Sequence, residues 1–254
     1  MRHIPNLFTL INLFFGCIAI IYILQNGIII VTEEDGTQLV NIPEKIWLGS
    51  LFIALAAVVD FLDGFVARLF NATSALGKQL DSLADVVSFG VAPGMIVYQF
   101  LRLSYAAQPD GIEIPFIYLM PAMLIPCAAA YRLGKFNLDD SQQYGFKGVP
   151  TPAVGLLIAS FPLIYWYSPA TDVTNLLQSK WLWYGIAVAL AVLMVSNLPL
   201  MALKFKNFSV KSNFPKLILL LAAIIAAIFL KWLAVPVVFI LYIILSLAFK
   251  NKTT

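Results

Sequence analysis

Long stretches without charged residues dominate this 254-residue chain and restrict the folds open to it. About 20 consecutive apolar residues cross the hydrocarbon core of a bilayer as an α-helix, and the backbone there must satisfy its own hydrogen bonds. Of all residues, 61% are hydrophobic and 11% are charged, whereas a soluble domain is nearer to about half and a quarter. The pattern predicts an all-α integral membrane protein, a polytopic bundle of about eight transmembrane helices. The predicted spans are 6–25, 46–70, 77–104, 114–134, 150–168, 180–202, 215–231 and 233–249.

The distribution of Lys and Arg residues predicts the orientation of this bundle. With an even number of spans both termini lie on one side, and 12 of the 16 Lys and Arg residues fall on that side. By the positive-inside rule that side is cytoplasmic. The basic loop 204–216 is interpreted as a topology determinant that contacts anionic lipids. No repeat or soluble domain is evident, so we predict one plasma-membrane domain, 1–254, with cytoplasmic termini.

Four aspartates lie close together in the otherwise apolar second and third spans. Asp63 lies three positions after Asp60, and Asp85 lies four positions after Asp81, so each pair shares a helix face. A simple antiparallel hairpin centred near residues 72 and 73 brings Asp60 level with Asp85, and Asp63 level with Asp81. The spacing therefore predicts four carboxylates at one depth, near the cytoplasmic side.

Four carboxylates at one place repel one another, and an acid inside a membrane is costly and usually functional. Two divalent cations would balance four negative charges, and hard oxygen ligands favour Mg²⁺ or Mn²⁺. A two-metal site of this kind suits phosphoryl-type displacement. The alternatives are ion pairs with Arg68 or Lys78, and a cation or proton pathway. His3 is the only histidine, and Cys17 and Cys127 are isolated and predicted as packing residues, so histidine-based catalysis and a zinc site are disfavoured.

Glycines and cations accompany the acids. Gly64 follows Asp63 directly, and Gly77 precedes Asp81 by four residues, so either glycine allows close approach by another helix or by a ligand. The planar guanidinium of Arg68 suits a phosphate, and Lys78 lies nearby in the predicted loop. These residues indicate a pyrophosphate held at the mouth of the bundle.

The spacing D-x2-D-G-x2-A-R-x8-G-x3-D-x3-D across residues 60–85 resembles the signature of the CDP-alcohol phosphotransferase family, without departure. The resemblance implies a CDP-linked lipid donor, CMP as leaving group, an alcohol acceptor, a divalent metal and a homodimer. It implies that Asp60, Asp63, Asp81 and Asp85 bind metal and that Asp85 is also the general base. Residues expected to contact the CDP moiety are Asn6, Thr9, Gly64, Ala67, Arg68, Gly77 and Lys78.

Three further patches, 5–16, 128–137 and 146–153, resemble serine-using members of this family, and Asn12 stands where glycerophosphate-using members carry Arg. The resemblance implies transfer of a phosphatidyl group from CDP-diacylglycerol to L-serine, giving phosphatidylserine and CMP among membrane lipids, with no nucleic-acid partner. Arg132 or Lys135 is the expected partner of the serine carboxylate, and Asn137 of its ammonium. Glycerol 3-phosphate or an inositol compound as acceptor stays open, as does a transporter.

Overall fold

Helices account for most of the protein. The computed structural model describes residues 4–32, 38–69, 74–106, 114–138, 146–168, 171–201 and 210–249. The α-helices in these ranges are α1 (Ile4–Gln25), α2 (Trp47–Leu69), α3 (Ala75–Val86), α4 (Ala92–Ala106), α5 (Leu124–Leu138), α6 (Thr151–Tyr167), α7 (Thr171–Leu177), α8 (Lys180–Val195), α9 (Val210–Leu230) and α10 (Ala234–Ala248). Two short antiparallel pairs accompany them, β1 (Ile29–Thr32) with β2 (Gln38–Asn41) and β3 (Phe146–Lys147) with β4 (Pro199–Leu200).

The all-α membrane class is confirmed, but a count of eight spans is not. Each predicted span overlaps at least one helix, but 77–104 covers both α3 and α4, and 114–134 overlaps α5 only from residue 124. Among the described residues, four helical segments are long and apolar enough to cross a membrane, and the α7–α8 pair, bent by 69°, makes a fifth if counted as one span. The four are Pro5–Gln25, Glu44–Val66, Ala75–Ala106 and Asn213–Ala248. Helices α5, α6, α8 and α10 have 15 to 17 residues, about 22–26 Å, which is less than a bilayer core of about 30 Å.

The C-terminal segment bends between its two helices. Lys231, in a short 3₁₀ turn (Lys231–Leu233), has φ +49°, and α9 and α10 pack against each other. Large apolar side chains on α9 face outward: Ile228 is 69% exposed and Phe229 is 78% exposed. Such a surface suits lipid, because the hydrocarbon core is itself apolar.

Helix α1 packs against both helices that carry the aspartates. It packs closely along α2 and also contacts α3, whereas α2 and α3 have little direct backbone contact among the described residues. The predicted hairpin of the second and third spans is therefore not a closely packed pair of helices, although it does bring Asp60 to Asp81 and Asp85. Its predicted turn at residues 72 and 73 lies outside the described residues.

A single π-helical turn, Val87–Val91, joins α3 to α4 directly after Asp85. Such turns contain an extra residue and occur frequently at functional sites. Two glycines let neighbouring helices approach it. A Cβ on Gly16 of α1 would collide with Ser88, and a Cβ on Gly155 of α6 would lie 3.0 Å from Phe89.

The core beyond this turn is aromatic. Trp183 of α8 is fully buried, and its ring stacks on Phe100 of α4 at a centroid distance of 4.6 Å. Cys17 and Cys127, predicted as packing residues, are instead exposed on the outer surface of α1 and α5. An apolar run inside a membrane helix gives no hydrophobic contrast between its core and lipid faces, which explains that error.

Gly148 allows the segment before α6 to lie against the end of α8. Its φ is +77°, its N–H donates to the Leu198 carbonyl at 2.9 Å, and a Cβ would lie 2.5 Å from the Met194 carbonyl oxygen. We expect Gly148→Ala to lower the free energy of unfolding by about 1–3 kcal/mol, because the backbone is left-handed and the added methyl meets backbone atoms. Thermal unfolding in detergent measures this change.

Gly185→Ala in α8 is the matched control. A Cβ there would meet no described atom within 4 Å, and alanine is the better helix former. Its melting temperature should equal or exceed that of the wild type. Equal melting temperatures for Gly148→Ala and the wild type would contradict the assigned strain.

Candidate active site

Three of the four aspartates form one cluster. Asp60 of α2 and Asp81 and Asp85 of α3 each offer a carboxylate oxygen, and these oxygens all lie within 4.8 Å of one another. Asp60 and Asp81 are partly buried, and Asp85 is 6% exposed. The helical spacing therefore predicted the convergence correctly for these three side chains.

Asp63 is directed to a different partner. Its carboxylate accepts a hydrogen bond from the Thr9 hydroxyl of α1, and its side chain is 7% exposed. It remains close enough to interact electrostatically with Asp60 and Asp81. Because α1 packs against both α2 and α3, it supplies the donor that holds Asp63 at the edge of the cluster.

Asp85 is the most enclosed member of the cluster, and two side chains of other helices act on it. The Asn12 amide of α1 donates from Nδ2 to Asp85 Oδ1 at 3.2 Å. The positive charge of Arg132 on α5 interacts with it electrostatically. Arg132 is 7% exposed and donates from Nη1 to the Thr151 hydroxyl of α6 at 3.3 Å.

The residues expected to contact the CDP moiety partly converge at the start of α3. Ser74 caps this helix by accepting from the Gly77 N–H at 2.9 Å, and a Cβ on Gly77 would lie 3.1 Å from the Asn6 amide oxygen. The beginnings of α1 and α3 are thus adjacent. A Cβ on Gly64 would meet no described atom within 4 Å. Ala67 and Arg68 belong to the last turn of α2, and their side chains lie outside the described residues.

Lys78, Lys135 and Asn137 lie around the end of α5. Lys78 Nζ donates to the Asn137 carbonyl at 3.1 Å, and Asn137 Nδ2 donates to the Ser82 hydroxyl at 2.7 Å. Lys135 Nζ donates to Asn197 Oδ1 at 2.6 Å. Of the three residues expected to bind the acceptor, Arg132 is therefore the one in electrostatic contact with Asp85.

The cluster of Asp60, Asp81 and Asp85 fits a divalent cation. Carboxylate oxygens are the ligands that Mg²⁺ and related hard cations prefer, and oxygens on one such ion lie about 3–4 Å apart. Side chains whose oxygens are already within 4.8 Å need only small rotations to bind together. These features define a polytopic membrane protein with a carboxylate cluster, contributed by α2 and α3, that is compatible with a divalent metal.

The comparisons with known proteins identify the family. Residues 2–195 match the CDP-alcohol phosphatidyltransferase family, so the chain belongs to it. A CDP-diacylglycerol–serine O-phosphatidyltransferase from Helicobacter pylori J99 is 32% identical over 246 residues, covering 94% of this chain and 87% of that protein. The enzyme of the same name from Bacillus subtilis 168 is 32% identical over 165 residues, covering 65% and 78%. An archaetidylserine synthase from Methanothermobacter thermautotrophicus is 30% identical over 162 residues, covering 63% and 60%.

Family membership favours the enzyme over the transporter as the interpretation of the aspartates. Sequence reasoning missed two contacts at the candidate site, namely the hydrogen bond from Asn12 to Asp85 and that from Arg132 to Thr151. Both residue types were visible as polar positions within apolar segments. Their partners lie on other helices, 73 and 19 residues away, so no local spacing could reveal them.

Proposed function

We propose that this chain transfers the phosphatidyl group of CDP-diacylglycerol to the hydroxyl of L-serine, giving phosphatidylserine and CMP. The observation that carries the proposal is the cluster of Asp60, Asp81 and Asp85 oxygens within 4.8 Å, in a chain that belongs to a CDP-alcohol phosphatidyltransferase family. The names of the relatives from H. pylori and B. subtilis support serine as the acceptor.

The donor lipid would lie with its acyl chains in the bilayer and its CDP moiety against the adjacent ends of α1, α2 and α3. Gly64 and Gly77 permit close approach to the nucleotide diphosphate. Lys78, one residue further along α3, adds positive charge beside the N-terminus of that helix, which itself attracts anions. In the proposal Asn6, Thr9, Ala67 and Arg68 complete this binding surface.

Asp85 is proposed as the general base. It would remove the proton from the serine hydroxyl, whose oxygen forms a bond to the lipid-linked phosphorus while the bond from that phosphorus to the CMP oxygen breaks. A carboxylate is the natural base here, because the single histidine of the chain is His3. The Asn12 hydrogen bond orients the Asp85 carboxylate.

Asp60, Asp81 and Asp85 would hold a divalent cation, Mg²⁺ or Mn²⁺, and Asp63 would join them in a site for two ions. Bound cations of this kind neutralise phosphate charge and stabilise the departing CMP. Asp63 lies beside the cluster, held by Thr9. Exchange of that hydrogen bond for a metal contact would complete the four-carboxylate set.

Arg132 is proposed to receive the carboxylate of serine, because it is buried and within electrostatic range of Asp85. Lys135 and Asn137 stay as predicted acceptor residues, with their present partners on α3 and in the chain after α8. We also propose one membrane domain, 1–254, in a plasma-membrane homodimer with cytoplasmic termini and a cytoplasm-facing site. Serine and CMP, which are both water-soluble, would enter and leave from that side.

The deciding experiment uses purified protein in mixed micelles with CDP-diacylglycerol, labelled L-serine and Mn²⁺. We expect serine-dependent release of CMP and incorporation of label into lipid in equal amounts. Parallel reactions contain glycerol 3-phosphate or inositol in place of serine. If either of these supports CMP release and L-serine does not, the assignment of the acceptor is wrong.

A further inference from the structure

The Asn12 side chain has a buried acceptor without a partner. The residue is fully buried, and its Nδ2 is committed to Asp85 at 3.2 Å. Its Oδ1 has no hydrogen-bond partner within the part of the chain that the structure describes. Leaving a buried acceptor unsatisfied is costly, so this oxygen is suited to a donor that arrives with a ligand.

Arg132 has a buried donor without a partner. Its side chain is 7% exposed, and Nη1 donates to Thr151, but Nε is buried without a described acceptor. A guanidinium stays charged and offers donors in a fixed plane. This group is suited to an anion, and a carboxylate matches its geometry.

Both groups act on the same aspartate. Asn12 reaches Asp85 by a hydrogen bond from α1, and Arg132 reaches it electrostatically from α5. The Ser88 hydroxyl of the π-helical turn donates to the Asn12 carbonyl at 3.0 Å, which ties this part of α1 to the chain just after Asp85. Asp85 is therefore hydrogen-bonded to a side chain with an unsatisfied acceptor, and it lies within electrostatic range of a side chain with an unsatisfied donor.

We propose that Asn12 Oδ1 binds the ammonium of the acceptor and that Arg132 binds its carboxylate, so that these two residues select an α-amino acid. This inference rests on the proposed function and assigns the acceptor recognition within it. L-Serine carries an ammonium and a carboxylate on the carbon next to its hydroxymethyl group. Binding at both groups directs the hydroxyl toward Asp85. Asn137, predicted from the sequence to bind the ammonium, also has a buried Oδ1 without a described partner, and its Nδ2 donates to Ser82. Asn12 is preferred here because its amide hydrogen-bonds to Asp85.

The test crosses two variants with three acceptors that share one hydroxyl. L-Serine has both charged groups, ethanolamine lacks the carboxylate, and 3-hydroxypropionate lacks the ammonium. Each is measured with the full chain in micelles containing CDP-diacylglycerol and Mn²⁺, as a KM or as an inhibition constant against labelled L-serine. These two variants are Arg132→Gln and Asn12→Leu, and Asn12→Asp and Asn137→Leu are added as controls. The KM for CDP-diacylglycerol reports whether each variant retains the donor site.

Arg132→Gln should weaken the binding of L-serine and 3-hydroxypropionate about 10- to 100-fold, because a charged hydrogen bond to the carboxylate is lost for these two only. The binding of ethanolamine should stay within about threefold of the wild type. Asn12→Leu should weaken the binding of L-serine and ethanolamine by a similar factor and leave the binding of 3-hydroxypropionate unchanged. Asn12→Asp keeps an acceptor oxygen, so it should retain ethanolamine binding even where turnover falls.

Equal losses for all three acceptors would overturn the inference, because the residues would then act on Asp85 or on folding instead of on the substrate. It is also overturned if Asn137→Leu, and not Asn12→Leu, shows the ammonium-dependent loss. The proposed function fails separately, by absence of serine-dependent CMP release in the wild type. If the wild type uses serine but the variants do not discriminate among the acceptors, only this inference is wrong and the proposed function stands.

Discussion

Asp85→Asn should reduce serine-dependent CMP release by about 10²–10⁴-fold, the range that a positioned general base contributes. Asparagine has nearly the same shape as aspartate but cannot take a proton from the serine hydroxyl. It also removes one carboxylate from the cluster with Asp60 and Asp81. The initial rate of CMP release at saturating serine and Mn²⁺ measures the effect.

Asp172→Asn is the matched control for this substitution. Asp172 lies in the first turn of α7 and is exposed, so the same chemical change is made away from the cluster. We expect its rate to equal that of the wild type, and we expect both variants to unfold at the wild-type temperature or above. Retention of more than about a tenth of the activity by Asp85→Asn would exclude Asp85 as the base.

Removal of divalent cations with a chelator should abolish activity, and Mg²⁺ or Mn²⁺ should restore it. The reason is electrostatic, since the clustered carboxylates and the donor pyrophosphate are all anionic and need counter-charge. Asp81→Asn should raise the Mn²⁺ concentration for half-maximal rate by at least about 10- to 100-fold, because one of the three clustered ligands is lost.

Direct binding of Mn²⁺, followed by its electron paramagnetic resonance signal, separates metal affinity from catalysis. The wild type should bind two ions in the presence of CDP-diacylglycerol, and Asp81→Asn should bind them more weakly. Asp172→Asn again provides the control, with wild-type affinity. Unchanged Mn²⁺ binding by Asp81→Asn would show that the aspartate cluster is not the metal site.

The sequence predicted the helical class and most of the aspartate site because both depend on local patterns. Apolar length determines where a helix can lie in a bilayer, and spacings of three and four place acids on one helix face. The packing of α1 against both α2 and α3 was not predictable in this way, because it depends on contacts among three helices. The diversion of Asp63 to Thr9 follows from that packing.

The roles of buried polar residues were also beyond local reasoning. Asn12 lies within an apolar helix, where its position was informative only through resemblance to related enzymes. Its contact with Asp85 spans 73 residues of sequence. The exposure of Cys17 and Cys127 was not predictable for a related reason, since in a membrane helix the core face and the lipid face are both apolar.

The π-helical turn at Val87–Val91 has a consequence for how the chain tolerates changes in length. Successive residues of an α-helix are rotated by about 100° around its axis, so the extra residue sets the angular phase of α3 relative to α4. Deleting one residue from this turn would regularise the hydrogen bonding and swing the face bearing Asp81 and Asp85 away from Asp60. The carboxylate cluster therefore depends on this π-helical turn, and joining α3 and α4 into one regular α-helix would separate its aspartates.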